Sequence, residues 1–206
     1  KIENIAYAGL FALKAKIFAS NDVIANCGYY AVALLVGGEY EFYHTTIANY
    51  WGGFSRKSRT TSSLVISNVL KISQSDGSDK LYLGDLKNAF FGNSIIYGKN
   101  PIEIEIAQNE EKEFNYMFDR CILQLPDTFN TSNKAHFKDV WKGKKFDPKF
   151  VDPYKNFNYE LDTLSAAKDM GSAEYSKIVP LDLLKKDRTS DAGPDLGAYE
   201  RIEKKK

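Results

Sequence analysis

Ile24-Ala25-Asn26, Ile47-Ala48-Asn49, Ile66-Ser67-Asn68 and Phe91-Gly92-Asn93 are four copies of one short phrase: a large apolar residue, a spacer and an asparagine. Looser copies stand at Ile5-Ala6-Tyr7 and Phe118-Asp119-Arg120, and successive copies are 19, 23, 19, 25 and 27 residues apart. That spacing is one winding of a solenoid, not the step of a globular motif. Between the phrases the chain alternates with period two, as in Glu39-Tyr40-Glu41-Phe42 and Pro101-Ile102-Glu103-Ile104-Glu105-Ile106, which marks strands with one buried face. Ala31 to Val36 is continuously apolar and ends on Gly37-Gly38, a turn signal. Short strands wound at this period predict an all-β fold, a parallel β-helix. The leucine consensus of a leucine-rich repeat is absent, and a propeller blade needs about 40 residues.

Two units are expected. Residues 1–125 read as solenoid coils, the C-terminal portion of a longer solenoid, because Lys1 opens directly on a repeat without a polar cap. Residues 126–206 read as an irregular capping module, since prolines 126, 148, 153, 180 and 194 fall there and the phrase is lost.

Composition narrows the function classes. The net charge of +1 is too balanced for a nucleic-acid binder that works by neutralising phosphates. Two cysteines, Cys27 and Cys121, exclude a disulfide scaffold. Coils about 4.8 Å apart would hold these two several layers from each other, so both read as buried free thiols. No apolar run approaches the ~20 residues of a membrane span. The 13 Tyr and 13 Phe favour strands and an exposed, adhesive face.

At the fixed phase, Asn26, Asn49, Asn68 and Asn93 suit a sharp bend, because asparagine tolerates the left-handed conformation. Stacked amides would also form a structural ladder along the axis.

The C-terminal segment carries a resemblance. Asp147-Pro148-Lys149-Phe150-Val151-Asp152, Asn158-Tyr159-Glu160-Leu161, Ser165 to Gly171, Asp187-Arg188 and Pro194-Asp195-Leu196-Gly197-Ala198-Tyr199-Glu200 resemble the terminal region of choice-of-anchor Q proteins. These are bacterial, Bacteroidetes-type, right-handed parallel β-helix proteins of pectate-lyase-like fold. The pattern's proline after Ser165 is Ala166 here. The resemblance implies a secreted or outer-surface bacterial protein, and no single activity.

Candidate chemistry is sparse. Tyr50, Trp51, Arg56, Lys57 and Arg59 put aromatic platforms beside cations, suited to an acidic polysaccharide; an ordinary solvated loop explains the same composition. Glu103 with Glu105, and Glu39 with Glu41, have the spacing of glycosidase carboxylates, although wet strand faces alternate in the same way. His44 and His136 are too few for a histidine metal site. Asp76 with Asp79 and Asp191 with Asp195 could offer oxygens to Ca²⁺, but turn formation accounts for both pairs, so no cofactor is expected. Asp187, Arg188, Asp195, Tyr199 and Glu200 read as a structural cluster pinning the cap. The expected function is a non-catalytic, surface-exposed or secreted domain that binds a polysaccharide or a surface protein partner. The alternatives are a polysaccharide lyase or glycoside hydrolase with its groove on upstream coils, and a subunit of an outer-surface assembly.

Overall fold

A computed structural model describes residues 1–52 and 58–202. Fifteen strands follow one another: β1 (Ile2–Glu3), β2 (Ala8–Ser20), β3 (Val23–Ala25), β4 (Tyr30–Tyr43), β5 (Thr46–Asn49), β6 (Leu64–Ser67), β7 (Val69–Ser73), β8 (Asp79–Leu83), β9 (Leu86–Gly92), β10 (Ile95–Gly98), β11 (Ile104–Ala107), β12 (Met117–Leu123), β13 (Phe137–Lys142), β14 (Phe150–Asp152) and β15 (Asn158–Leu161). Among the described residues one short α-helix, α1 (Ala173–Ile178), comes late, after a 3-10 turn at Lys144–Phe146. Among the described residues no helix is long and apolar enough to cross a membrane.

Eleven strands form one sheet in the order β1-β3-β5-β10-β12-β9-β4-β6-β11, with β2 on β4 and β13 on β12. Its pairings are parallel, while β7–β8 and β14–β15 are small antiparallel pairs. This corrects the expected right-handed parallel β-helix built as a single-stranded solenoid with its phrases in one phase. Ile24 and Ile47 are register partners. Ile66 instead pairs with Leu34 and Ile106, and Phe91 with Phe42 and Phe118. The phrases therefore end strands in three different columns. The physical reason lies in β4, whose first half pairs with β6 and whose second half pairs with β9. The β7–β8 hairpin fills the chain between those two partners.

Gly37-Gly38, expected to end a strand, instead bends β4 at its middle. Gly37 has φ +72 and Gly38 φ +129, and a Cβ on Gly38 would stand 2.5 Å from the Ala15 carbonyl. Lys14, at φ 47, bends β2 beside it. The strand can turn there only because glycine accepts both the conformation and the close approach.

In-register parallel pairing sets like on like, and this builds the core. Phe42, Phe91, Phe118 and Phe137 stack with ring centroids 4.9, 5.0 and 5.8 Å apart. Ile24, Ile47, Ile66 and Phe91 all belong to the same buried cluster. Cys27 and Cys121 are fully buried, unbonded fillers. The main sheet runs on through Lys142 at β13, past residue 126 where the repeat fades in the sequence. A second cluster, including Tyr159, Leu161, Leu196 and Ala198, seats the C-terminal segment on Val23, Ala48, Ile95 and Ile122.

Candidate functional site

Parallel register assembles an aromatic groove from residues distant in sequence. Ala8 pairs with Tyr30, and the Tyr29 N–H donates to the Tyr7 carbonyl at 2.8 Å. The Tyr7 and Tyr29 rings therefore stack, 5.2 Å apart and 6° from parallel. Tyr30 stands edge-on to Tyr29 at 4.6 Å, and Phe11 continues the wall 6.3 Å from Tyr7. Leu70 and Lys71 of the β7–β8 hairpin form the opposite wall of a groove of about 370 Å³. On the floor, Val65 lies beside Glu105 and Ser67 beside Ala107. Tyr7 is 57% and Tyr29 41% exposed, so both rings are available from solvent. Burial first, and the neighbouring Glu105 carboxylate second, push the Tyr30 phenol up to about 12. It is a neutral hydroxyl at physiological pH. Flat apolar faces, a phenolic hydroxyl and one carboxylate can together hold an uncharged polyhydroxylated ring.

Of the loop singled out in the sequence, the described residues Tyr50, Trp51 and Arg59 do not form such a surface. Tyr50 is buried, edge-on to Phe150 and Tyr154 at 6.3 and 5.0 Å. Trp51 is half-buried, its ring lying against the Cα of Gly28. Arg56 and Lys57 lie outside the described residues. Arg59 is internal, its Nη2 donating to both Glu103 carboxylate oxygens at 2.7 and 2.8 Å and to the Asn49 carbonyl at 3.1 Å. A buried arginine inside a Gly, Ser and Thr run looks like a solvated one until its acid is placed.

The paired carboxylates also separate. Glu103 is buried on Arg59 while Glu105 faces the groove. Glu39 binds Lys16 at 2.8 Å, and Glu41 accepts from the Tyr43 hydroxyl at 2.9 Å. Asp76 accepts from Ser78, as a turn residue does, and Asp79, the first residue of β8, accepts from Ser73 across the hairpin. Asp195 is enclosed in the cap, and among the described residues no group of three or more His, Cys, Asp or Glu could hold a metal ion. His44 is fully buried against Ser176 and Asn93, and burial holds its pKa well below the usual range. His136 stacks on Tyr116.

The four asparagines are buried but do not form one ladder. The Asn26 amide donates to Asn4, and the Asn49 side chain accepts from the Cys27 N–H at 3.0 Å. Asn68 donates to the Asn109 carbonyl at 2.8 Å, and Asn93 to that of Ser172 at 2.9 Å. Only Asn26 and Asn93 take the left-handed conformation.

Asp187, Arg188, Asp195, Tyr199 and Glu200 lie in the C-terminal segment. Arg188 is fully buried and donates to Glu200 at 3.0 Å, to Asn21 at 2.7 Å and to the Gly197 carbonyl at 3.2 Å. Asp195 accepts from the Asp169 and Arg201 N–H groups at 2.8 and 2.7 Å. Tyr199 is buried, whereas Asp187 is exposed and accepts from Thr189. Gly197, at φ +86, lies so close to Thr46 that a Cβ would meet its hydroxyl at 2.5 Å.

Burial, then the Asp195 carboxylate, push Glu200 up to about 8 against the opposing pull of Arg188. Burial likewise raises Asp195 to about 6. A carboxyl raised in this way keeps its proton in the folded state after the unfolded chain has released it. Its contribution is therefore fullest in acid and declines as pH rises from the ordinary carboxyl range through about 8. Amide exchange in residues 182–200, corrected for intrinsic rates, is expected to quicken between pH 5.5 and 8.5, and Glu200→Gln to flatten most of that change. An unaltered pH profile in the variant would contradict the assignment.

No protein-family model matches the chain, and no curated protein or solved structure is significantly similar to it. The resemblance to choice-of-anchor Q β-helix proteins, with its pectate-lyase-like label, therefore receives no support and is withdrawn. The groove itself escaped sequence reading because Tyr7, Phe11 and Tyr29-Tyr30 meet only through the β2–β4 register. Their one signal was the aromatic at Tyr7, where the four strict copies of the phrase have asparagine.

Proposed function

We propose that this protein is a non-catalytic binding domain that takes a polysaccharide segment in the groove walled by Tyr7, Tyr29 and Tyr30. The supporting observation is the exposed, stacked Tyr7–Tyr29 pair above a floor that carries Ser67 and Glu105. Aromatic faces recognise the apolar face of a sugar ring, while phenols and a carboxylate bind its hydroxyls. Hydrolysis by the usual route needs two carboxyl groups flanking the scissile bond, and one, Glu105, lines this groove.

Affinity electrophoresis against neutral and acidic polysaccharides tests this reading. At least one neutral polymer should retard the protein, and Tyr7→Ala or Tyr29→Ala should weaken retention by roughly 3- to 10-fold, the worth of one aromatic contact. Both rings are exposed, so the variants should unfold at the parent temperature. Release of reducing or unsaturated ends from the polymer would overturn the non-catalytic reading, and unchanged retention in both variants would remove the groove.

A further inference from the structure

The longest exposed edge of the main sheet is self-complementary. Among the described residues strand β2 pairs with β4 alone, which leaves its other edge open along 13 residues. Its register with β4 fixes which way each side chain points. Leu10, Ala12, Ile17 and Ala19 lie beside Val32, Leu34, Tyr40 and Phe42 of the core. Phe11, Leu13, Lys16 and Phe18 therefore point outward, and Phe11, Leu13 and Phe18 are 45%, 51% and 60% exposed. A natural edge this long and apolar is normally covered.

Laid antiparallel on its own copy about a point between Lys14 and Ala15, β2 matches face for face. Phe11 meets Phe18, Leu13 meets Lys16, Ala12 meets Ile17 and Leu10 meets Ala19, each inward residue opposite an inward one. A register shifted by one would set inward residues against outward ones. The bend at Lys14 falls on the symmetry point, so both copies turn together. A strip ~43 Å long and ~15 Å wide covers ~650 Å² per copy, somewhat below the ~800 Å² of a standard interface.

We propose that two copies of this chain join through the free edges of β2, antiparallel about a two-fold axis between Lys14 and Ala15, with Phe11 of each opposite Phe18 of the other. The association is reversible, in the micromolar range, and tightens with salt because Lys14 of both copies meet near the axis, while each Lys16 is paired with Glu39. It does not depend on the glycan reading, and its readout is covalent mass, not retention on a polymer.

The test is Phe11→Cys combined with Phe18→Cys, oxidised by glutathione disulfide. Opposite Cβ atoms in an antiparallel pair lie within reach of a disulfide bond, whereas positions 11 and 18 of one strand, seven residues apart on either side of the bend, are well beyond it. Cys27 and Cys121 are buried and do not compete. Most of the double variant should become covalent dimer, while each single variant stays more than about 80% monomeric under the same conditions. In the parent chain, sedimentation should show twice the monomer mass at high concentration, lost in Phe18→Lys. Three results would overturn the proposal: a parent that remains monomeric at several hundred micromolar, single variants that cross-link as well as the double, or an open-ended series of oligomers, which would mean head-to-tail pairing with another edge.

Discussion

Arg59→Ala is expected to cost about 3–5 kcal/mol in urea unfolding, the range for removing one partner of a buried ion pair. The side chains of Arg59 and Glu103 are 1% and 0% exposed. Glu103 also accepts from the Ser63 hydroxyl at 2.6 Å and the Asn100 N–H at 2.7 Å, so its carboxylate is fixed where no water can replace the guanidinium. Lysine should rescue little, because one Arg59 nitrogen serves both carboxylate oxygens and the Asn49 carbonyl, and the other serves Thr61. Replacing both partners together with apolar residues should cost much less than either single change, since no charge is then stranded. A loss under 1 kcal/mol for Arg59→Ala would show that the pair is hydrated in solution.

A loss of similar size is expected for Arg188→Met, with a different signature. This guanidinium ties Glu200 and Gly197 of the last segment to Asn21, which follows β2. Methionine fills much of the space but leaves the Glu200 carboxyl, the Asn21 amide oxygen and the Gly197 carbonyl without their donor, and about 3–5 kcal/mol should be lost at about 1–3 for each unsatisfied buried group. The local consequence should exceed the global one. Limited proteolysis should cut between residues 182 and 200 in Arg188→Met under conditions where the parent and Arg59→Ala are spared. Equal cleavage in the two arginine variants would mean that the segment has no separate opening.

Local pattern was readable in this chain where local physics is sufficient. Each asparagine phrase does lie at a strand end: Ala25 closes β3, Asn49 β5, Ser67 β6 and Gly92 β9. The alternation around Tyr40 and Phe42 put those rings inside. What the phrase could not carry was the column to which each strand belongs, because an apolar residue before an asparagine describes a strand end without naming a partner. Ile47 and Ile66 look equivalent, yet one stacks on Ile24 and the other on Leu34. Arg59 and its neighbours Arg56 and Lys57 look equally solvated in sequence, and only the position of Glu103 removes Arg59 from the surface. Of the cap residues named from the sequence, Arg188, Asp195 and Glu200 meet, whereas Asp187 stays exposed on Thr189; the attachment to Asn21 and Thr46 was not legible, because those contacts span 167 and 152 positions.

That span has a consequence for how the molecule is made. A ribosome delivers residues in order, so β2 to β5 exist without the Arg188 and Ala198 contacts that hold Asn21 and Thr46 until those two residues have emerged. Final locking must wait for them and for a long loop to close, which places it late among the folding events of these strands. Nascent chains stalled before Arg188 should thus be far more open to chaperones than the released product.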